Sequence, residues 1–278
     1  MSLIITSLNS GSNGNCYYIG NEREAVFIDA GLSCKEIEKR MARLALDIKK
    51  VAAIFISHEH SDHIFGVQVL SKRYHIPVYI TPGTLRSSGL ELVPELVNTF
   101  TAHQPVAIGG LTVTAFPKFH DASDPHSFIV RGNDTQVGIF TDLGRACEQL
   151  VHHFRGCHAA FLEANYDEAM LQAGRYPASL KNRIRGGRGH LSNAQALALF
   201  ARHRPAFMTH LILAHLSKEN NRPELVQEMF STGGHATEIV VASRVVETPL
   251  FRIHHGGHPA QPLRPAPLPV ARVQLRLF

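Results

Sequence analysis

Within six consecutive residues, His58-Glu59-His60-Ser61-Asp62-His63, the chain carries three imidazoles and two carboxylates. Histidine nitrogens and carboxylate oxygens are the donors that zinc, iron and manganese take. His58, His60, Asp62 and His63 are more donors than one tetrahedral ion readily accepts from so tight a turn. Two neighbouring ions are the economical solution. The competing reading is a polar surface loop with incidental histidines. The apolar run Ile54-Phe55-Ile56, leading almost directly into the order H-x-H-x-D-H, argues against it.

An apolar run followed by a metal-capable residue recurs along the chain. Residues 26–28, 51–56, 78–80, 111–116, 128–130, 137–140, 159–162 and 211–214 are short, apolar and rich in β-branched or aromatic side chains, which predicts strands. Asp29, His58, His120, Asp142, Glu163 and His215 come just after such runs. Sites of layered folds collect at strand ends, because the sheet holds the connecting loops rigid. Helices must lie between some of these strands. Ser33 and Glu36 have the spacing of a capping box, and Ile37, Met41 and Leu44 follow at helical intervals. A second helix is expected from Ser192 or Asn193 through AQALALFARH, ending before Pro205. Residues 171–189 mix Gly, Pro, Lys and Arg without strong periodicity and are expected to be a loop. The mixture of strands and helices predicts an α/β class with helices packed outside sheets.

H-x-H-x-D-H after a strand is similar to the signature of the metallo-β-lactamase superfamily. The other motifs follow in that family's order: Asp29 in FIDAG, His120 in KFHDASDP, Asp142 in FTDLG and His215 in LILAHLS. The resemblance implies a four-layer αββα sandwich with the metals at one edge. It implies that His58, His60 and His120 hold one divalent ion, zinc or manganese. Asp62, His63 and His215 would hold the second, Asp142 would bridge the two, and Asp29 would support the metal-binding loop. Further segments, SLNSGSNGNCYYI, FIDAGLS, HDASDP, TDLG, LEANYD, GHLSN and LAHLSKENN, resemble the WalJ (YycJ) branch. That branch comprises bacterial proteins described as 5′-to-3′ DNA exonucleases linked to repair. The similarity runs from about Ser7 to about Phe251.

Paired divalent ions generate hydroxide at neutral pH and stabilise both ends of an in-line displacement, which suits phosphodiester hydrolysis. Asp62 is expected to orient the attacking hydroxide as well as to bind metal. The departing oxygen needs a proton, and Glu163 with His190 in GHLSN resemble the glutamate and histidine of the tRNA-3′-processing nucleases in the same superfamily. Lys181, Arg183, Arg185 and Arg188 stand just before His190 and could grip backbone phosphates, although a solvated charge run reads equally well. Ser10, Asn13 and Asn15 form a polar, glycine-flanked loop that could line the site, with Asn13 taken as a substrate contact; a plain turn is the alternative. No large insertion fits between Asp142 and His215, which favours DNA over the RNA-processing relatives.

The formal charge of +5 suits a polyanionic partner without requiring one. Of 278 residues 44% are hydrophobic, enough for one large core or two modest ones. No stretch approaches the roughly 20 apolar residues of a membrane helix. The N-terminus lacks the pattern of a secretory signal, and the four cysteines form no CxxC pair, so a cytoplasmic location with free thiols is expected. Residues 1–255 are expected to form the catalytic domain and residues 256–278, with PAQPLRPAPLP, a mobile tail. Two rivals to the nuclease stay open: a small-molecule phosphodiesterase or other ester hydrolase on the same fold, and a non-catalytic binding protein. A broken ligand set would mark the latter, and every expected ligand is present.

Overall fold

Strands that are apolar on both faces must be covered on both faces. In this chain alternate residues do face different cores. Val26, Ile28, Ala159 and Phe161 belong to one buried cluster, while Phe27 belongs to a second and Ala160 and Leu162 to a third. A computed structural model describes residues 2–232 and 236–256 and shows how the clusters are layered.

The first sheet contains β1 (Leu3–Asn9), β2 (Cys16–Gly20), β3 (Ala25–Ile28), β4 (Val51–Phe55), β5 (Val78–Tyr79) and β6 (Val97–Asn98). The second contains β7 (Pro105–Ile108), β8 (Leu111–Pro117), β9 (His126–Gly132), β10 (Thr135–Phe140), β11 (Ala159–Glu163), β12 (His210–Ala214) and β13 (Glu238–Val241). The last strand, β14 (Phe251–Ile253), returns to the first sheet, whose order is β14-β1-β2-β3-β4-β5-β6. The second sheet runs β13-β12-β11-β10-β9-β8-β7. Both are mixed: β3, β4, β5 and β6 are parallel neighbours, as are β10 to β13, and the rest pair antiparallel.

The inner core lies between the sheets and includes Tyr17, Phe55, Phe128 and Phe161. Phe55 stacks on Tyr79 with ring centroids 4.5 Å apart. The outer face of the first sheet is covered by helices Cys34–Arg43 and Val67–Tyr74, through Ile37, Met41 and Leu70. Helices Glu148–Phe154, Asn193–His203 and Pro223–Ser231 cover the second sheet, through Phe154, Phe200 and Phe230. Helix, sheet, sheet, helix is the αββα sandwich expected from the motifs.

Ser33 caps the helix Cys34–Arg43 by accepting from the Glu36 amide, but Glu36 turns its carboxylate to Arg40 at 2.8 Å. Ser192 and Gln195 complete a reciprocal capping box, and that helix ends ahead of Pro205. The expected loop at 171–189 is corrected. The segment carries the end of one helix, Glu168–Ala173, and all of another, Ala178–Arg185. Asp167 caps the first through the Met170 amide, and Pro177 precedes the second. The second helix buries no residue, so it leaves no apolar stripe in the sequence. The proline-rich segment lies outside the described residues.

Candidate metal centre

The two sheets bring separate strand ends to one edge. Asp29 follows β3, the turn at 58–63 follows β4, Asp142 follows β10, Glu163 ends β11 and His215 follows β12. Asp29, Asp142 and His215 all have left-handed backbone, with φ of 60°, 55° and 57°. Non-glycine residues enter that region rarely, and a chain keeps them there where the surroundings hold a site in place. The turn at 61–63 is clamped against the segments just before β2 and just after β3. The Asn15 amide donates to the Asp62 carbonyl at 2.7 Å, and the Ala30 amide to the His63 carbonyl at 2.9 Å.

Four histidines have one ring nitrogen anchored and the other turned inward. His58 Nδ1 lies 2.8 Å from Ser57 Oγ, and Ser57 Oγ donates to Asp29 Oδ2 at 2.8 Å. Ser57 Oγ therefore accepts from His58. His63 Nδ1 meets Asp29 Oδ2 at 2.7 Å, His120 Nδ1 meets the Gly189 carbonyl at 3.1 Å, and His215 Nδ1 meets Glu163 Oε1 at 3.0 Å. Each anchor is an acceptor, so the Nδ1 atom carries the proton and the Nε2 atom offers a lone pair. Such partners fix tautomer and ring orientation in metal sites.

Four overlapping groups of donors result, and two of them match the expected ligand sets. In the first, His60 Nδ1 lies 3.1 Å from His58 Nε2 and 3.3 Å from His120 Nε2. In the second, Asp62 Oδ2 lies 3.6 Å from both His63 Nε2 and His215 Nε2. Asp142 stands between them: Oδ2 is 3.2 Å from His63 Nε2, and Oδ1 is 3.4 Å from His215 Nε2 and 3.8 Å from His120 Nε2. Within each group the donor atoms lie within 4.8 Å of one another. Asp142 Oδ2 and His215 Nε2 are buried with no hydrogen-bond partner. Buried lone pairs facing one another without donors are satisfied by a cation, so the residues fit divalent metal.

The electrostatics agree. Burial holds His58 well below its ordinary pKa and His120 at about 4, so both rings are neutral and free to donate to a cation. Burial opposes charge on His63 as well, but the Asp142, Asp29 and Asp62 carboxylates lift it to about 10. His215 is raised against its burial by Asp142, Asp62 and Glu163. Burial would raise Asp62, yet His63 and His215 bring it to about 2. The raised proton affinity of His63 and His215 marks where the acidic half of the site demands positive charge, which a bound cation would supply in place of the second proton.

Glu163 is fully buried and uses both oxygens. Oε2 accepts from the Leu143 and Leu191 amides at 2.7 and 3.1 Å, and Oε1 faces His190 Nδ1 at 2.8 Å. Burial pushes its pKa up, but His190 and His215 bring it to about 2. His190 and Asp62 line a cavity of about 250 Å³, together with Asp142 and His215.

The basic segment is placed unevenly. Arg183 pairs with Asp121 at the cavity wall. Lys181 donates to the Gln172 carbonyl, and Arg185 bonds Asn182 and Gln172. Arg188 has no side-chain partner among the described residues. Asn13 is exposed and donates to the Arg244 carbonyl, whereas its neighbour Ser12 lines the cavity. Sequence reasoning missed Ser57 and Asn165, the latter with its amide 3.2 Å from His215 Nδ1. Asn15 was noticed only as part of a flexible loop. Its amide reaches Asp62 Oδ2 at 3.1 Å. Ser57 directly precedes the H-x-H-x-D-H turn and Asn165 closes LEAN, and those positions within the motifs are the signal that could have found them.

Comparison with known proteins bears on this geometry. The family model for the β-lactamase superfamily domain matches residues 24–215. The chain is 34% identical over 231 residues to the exodeoxyribonuclease YycJ of Bacillus anthracis, covering 82% of this chain and 87% of that protein. It is 32% identical over 223 residues to the exodeoxyribonuclease WalJ of Streptococcus pneumoniae, covering 78% and 83%. The metallo-β-lactamase fold protein YhfI of Bacillus subtilis has a similar structure, with TM-score 0.69 and 14% identity over 89% of this chain and 98% of that one. The motifs, the sandwich and these matches agree: the chain belongs to the β-lactamase superfamily, in the family of the YycJ and WalJ proteins.

Proposed function

We propose that this protein is a metal-dependent exonuclease that hydrolyses DNA phosphodiester bonds in the 5′-to-3′ direction and serves DNA repair. The observation that carries this reading is the meeting, in one cavity, of the His and Asp donors with the Glu163–His190 pair. The substrate class is supported by the relatives named exodeoxyribonucleases.

His58, His60 and His120 would hold one divalent ion, zinc or manganese, and Asp62, His63 and His215 a second, with Asp142 shared. Bound divalent ions lower the pKa of water and neutralise charge on a phosphoryl group. The protein's own groups do the rest. Asn15 orients the Asp62 carboxylate, which directs the attacking water. Asp29 and Ser57 keep His63 and His58 in their working tautomers. The Nδ1 proton of His190 is committed to Glu163, so a proton on Nε2 is the one available to the departing oxygen. Glu163 acts through His190 by fixing its ring orientation and tautomer. Arg183, at the cavity wall, and Arg188, further along the same basic segment, attract the phosphate backbone.

The residues between Asp142 and His215 form helices and β11 and β12 rather than an added domain, consistent with a substrate strand reaching the cavity directly. Among the described residues no helix is long and apolar enough to cross a membrane. By analogy with the relatives named exodeoxyribonucleases, we place the activity in the cytoplasm.

The test is digestion of DNA labelled at either the 5′ or the 3′ end, by wild type and Asp62→Ala with added Mn²⁺ or Zn²⁺. Release of short products from the 5′ label by wild type alone is expected. Cleavage of bis(p-nitrophenyl) phosphate with DNA left intact would overturn the nuclease reading.

A further inference from the structure

Beside the metal cavity lies a second one, of about 500 Å³. Asp121 and Arg183 line both, so their ion pair forms the shared wall. The second cavity is lined further by Phe119, Arg145, Asn182 and Arg188. Its volume falls within the roughly 300–1,000 Å³ of small-ligand sites.

Two features make it more than a solvated charge run. Arg145 and Arg188 have no carboxylate partner among the described residues, so the cavity has a surplus of positive charge. The Arg145 guanidinium also lies over the Phe119 ring, 3.7 Å from its centroid. The pair is a flat, cationic platform. A guanidinium on an aromatic face is a surface on which a nucleobase stacks, while free arginines take phosphate.

The sequence builds this cavity through glycines. Gly144, in the TDLG motif, donates to the Phe119 carbonyl at 2.6 Å. A Cβ there would stand 2.4 Å from both the Arg188 Cα and the Gly187 carbonyl oxygen. Only glycine lets the two loops close, which sets Arg145 beside Arg188. The same arginine-bearing loop supplies the Gly189 carbonyl that anchors His120. A ligand in the second cavity therefore touches a loop tied directly to the metal-binding side chains.

We propose that this cavity is a nucleotide subsite. It takes the nucleotide adjacent to the scissile phosphate, with the base on the Arg145–Phe119 platform and a backbone phosphate on Arg188. The proposal rests on the nuclease reading and specifies how that enzyme grips its strand.

The test uses the full-length protein with Mn²⁺ and the variants Phe119→Ala and Arg145→Gln. kcat/KM is measured on a short single-stranded oligonucleotide and on bis(p-nitrophenyl) phosphate, which is too small to span both cavities. The ratio of the two values is expected to fall by about ten- to a hundredfold in each variant, the usual range for losing a base-stacking platform. A second readout needs no turnover. In metal-free protein, 2-aminopurine moved along the oligonucleotide should change its emission at one position on binding wild type and not on binding Phe119→Ala. Arg145 is exposed, so its variant is expected to keep the wild-type thermal midpoint. Wild type that degrades DNA while both variants keep its substrate ratio would overturn the subsite alone. Wild type that cleaves only the small diester would overturn the nuclease reading itself.

Discussion

The Glu163 carboxylate stands 2.8 Å from Nδ1 of His190. The same oxygen lies 3.0 Å from Nδ1 of His215. One buried carboxylate thus ties the proposed proton donor to a proposed metal ligand. The two roles separate by mutation. His190→Ala should lower kcat on DNA by about 10²–10⁴ while leaving metal per chain unchanged, because only proton transfer is lost. Glu163→Gln should lower both kcat and metal content, because one amide oxygen cannot serve both the Leu143 and Leu191 amides and the His190 and His215 rings. Turnover and elemental analysis on the same preparations check this. Full turnover in His190→Ala would remove it from the reaction.

Asp29 accepts from the Ser57 amide, the Ser57 hydroxyl and His63 Nδ1. Asparagine tolerates the φ of 60° at this position but offers only one carbonyl oxygen. Asp29→Asn should therefore keep the fold and weaken metal binding by about 10–100-fold. Competition with a fluorescent chelator measures the change. An affinity within twofold of wild type would show that the Asp29 charge is not what orients His63.

Gly31 is required by close approach rather than by φ. A Cβ there would lie 1.7 Å from the Asp62 carbonyl oxygen, which also accepts from the Asn15 amide. Gly31→Ala should push the Asp62 turn outward, at a cost of about 1–3 kcal/mol or more. Metal content should fall with it. Gly187→Ala is the control, since a Cβ there meets nothing within 4 Å. It should change stability by less than about 0.5 kcal/mol. Urea unfolding of both variants provides the comparison.

His153 stacks on Phe116 with ring centroids 4.3 Å apart. Burial, with positive neighbours His152, His103 and Arg131, brings its pKa from 6.5 down to about 4. The folded protein prefers the neutral ring, so between those values the unfolded chain binds more protons. Stability from this residue is complete above about 6.5 and is lost as pH falls towards about 4. His153→Phe keeps the stacking and removes the titration. The difference in urea midpoint between wild type and variant should drift in favour of the variant as pH drops through that window. A difference that stays constant would show that His153 titrates alike in both states.

Much of the site was legible because its donors are local signals. His58, His60, Asp62 and His63 share one turn, and Asp29, Asp142 and His215 each follow an apolar strand closely. Six of the predicted strands lie wholly within observed ones, the other two run one residue past theirs, and the capped helices begin where Ser33 and Ser192 stand. The strands β1, β2, β6, β7, β13 and β14 carry weaker patterns and were not read. β1 and β2 are buried along nearly their whole length although β1 includes Thr6 and Asn9, whose side chains are satisfied by distant partners, Thr248 and Arg40. The helix Ala178–Arg185 escaped notice because an element that buries nothing has no reason to be periodic.

By itself the sequence determined which donor atoms are available, the strands that carry them and the layered class that follows from strands apolar on both faces. Those properties are local: residue type, period and capping act within a few positions. Only the tertiary structure decided which nitrogen of each histidine faces inward, that one carboxylate serves both His190 and His215, and that Arg145 lies beside Arg188. These depend on two sheets packing face to face and on loops closing over Gly31 and Gly144. Contacts between residues tens of positions apart are set by that packing, and no short-range pattern encodes them.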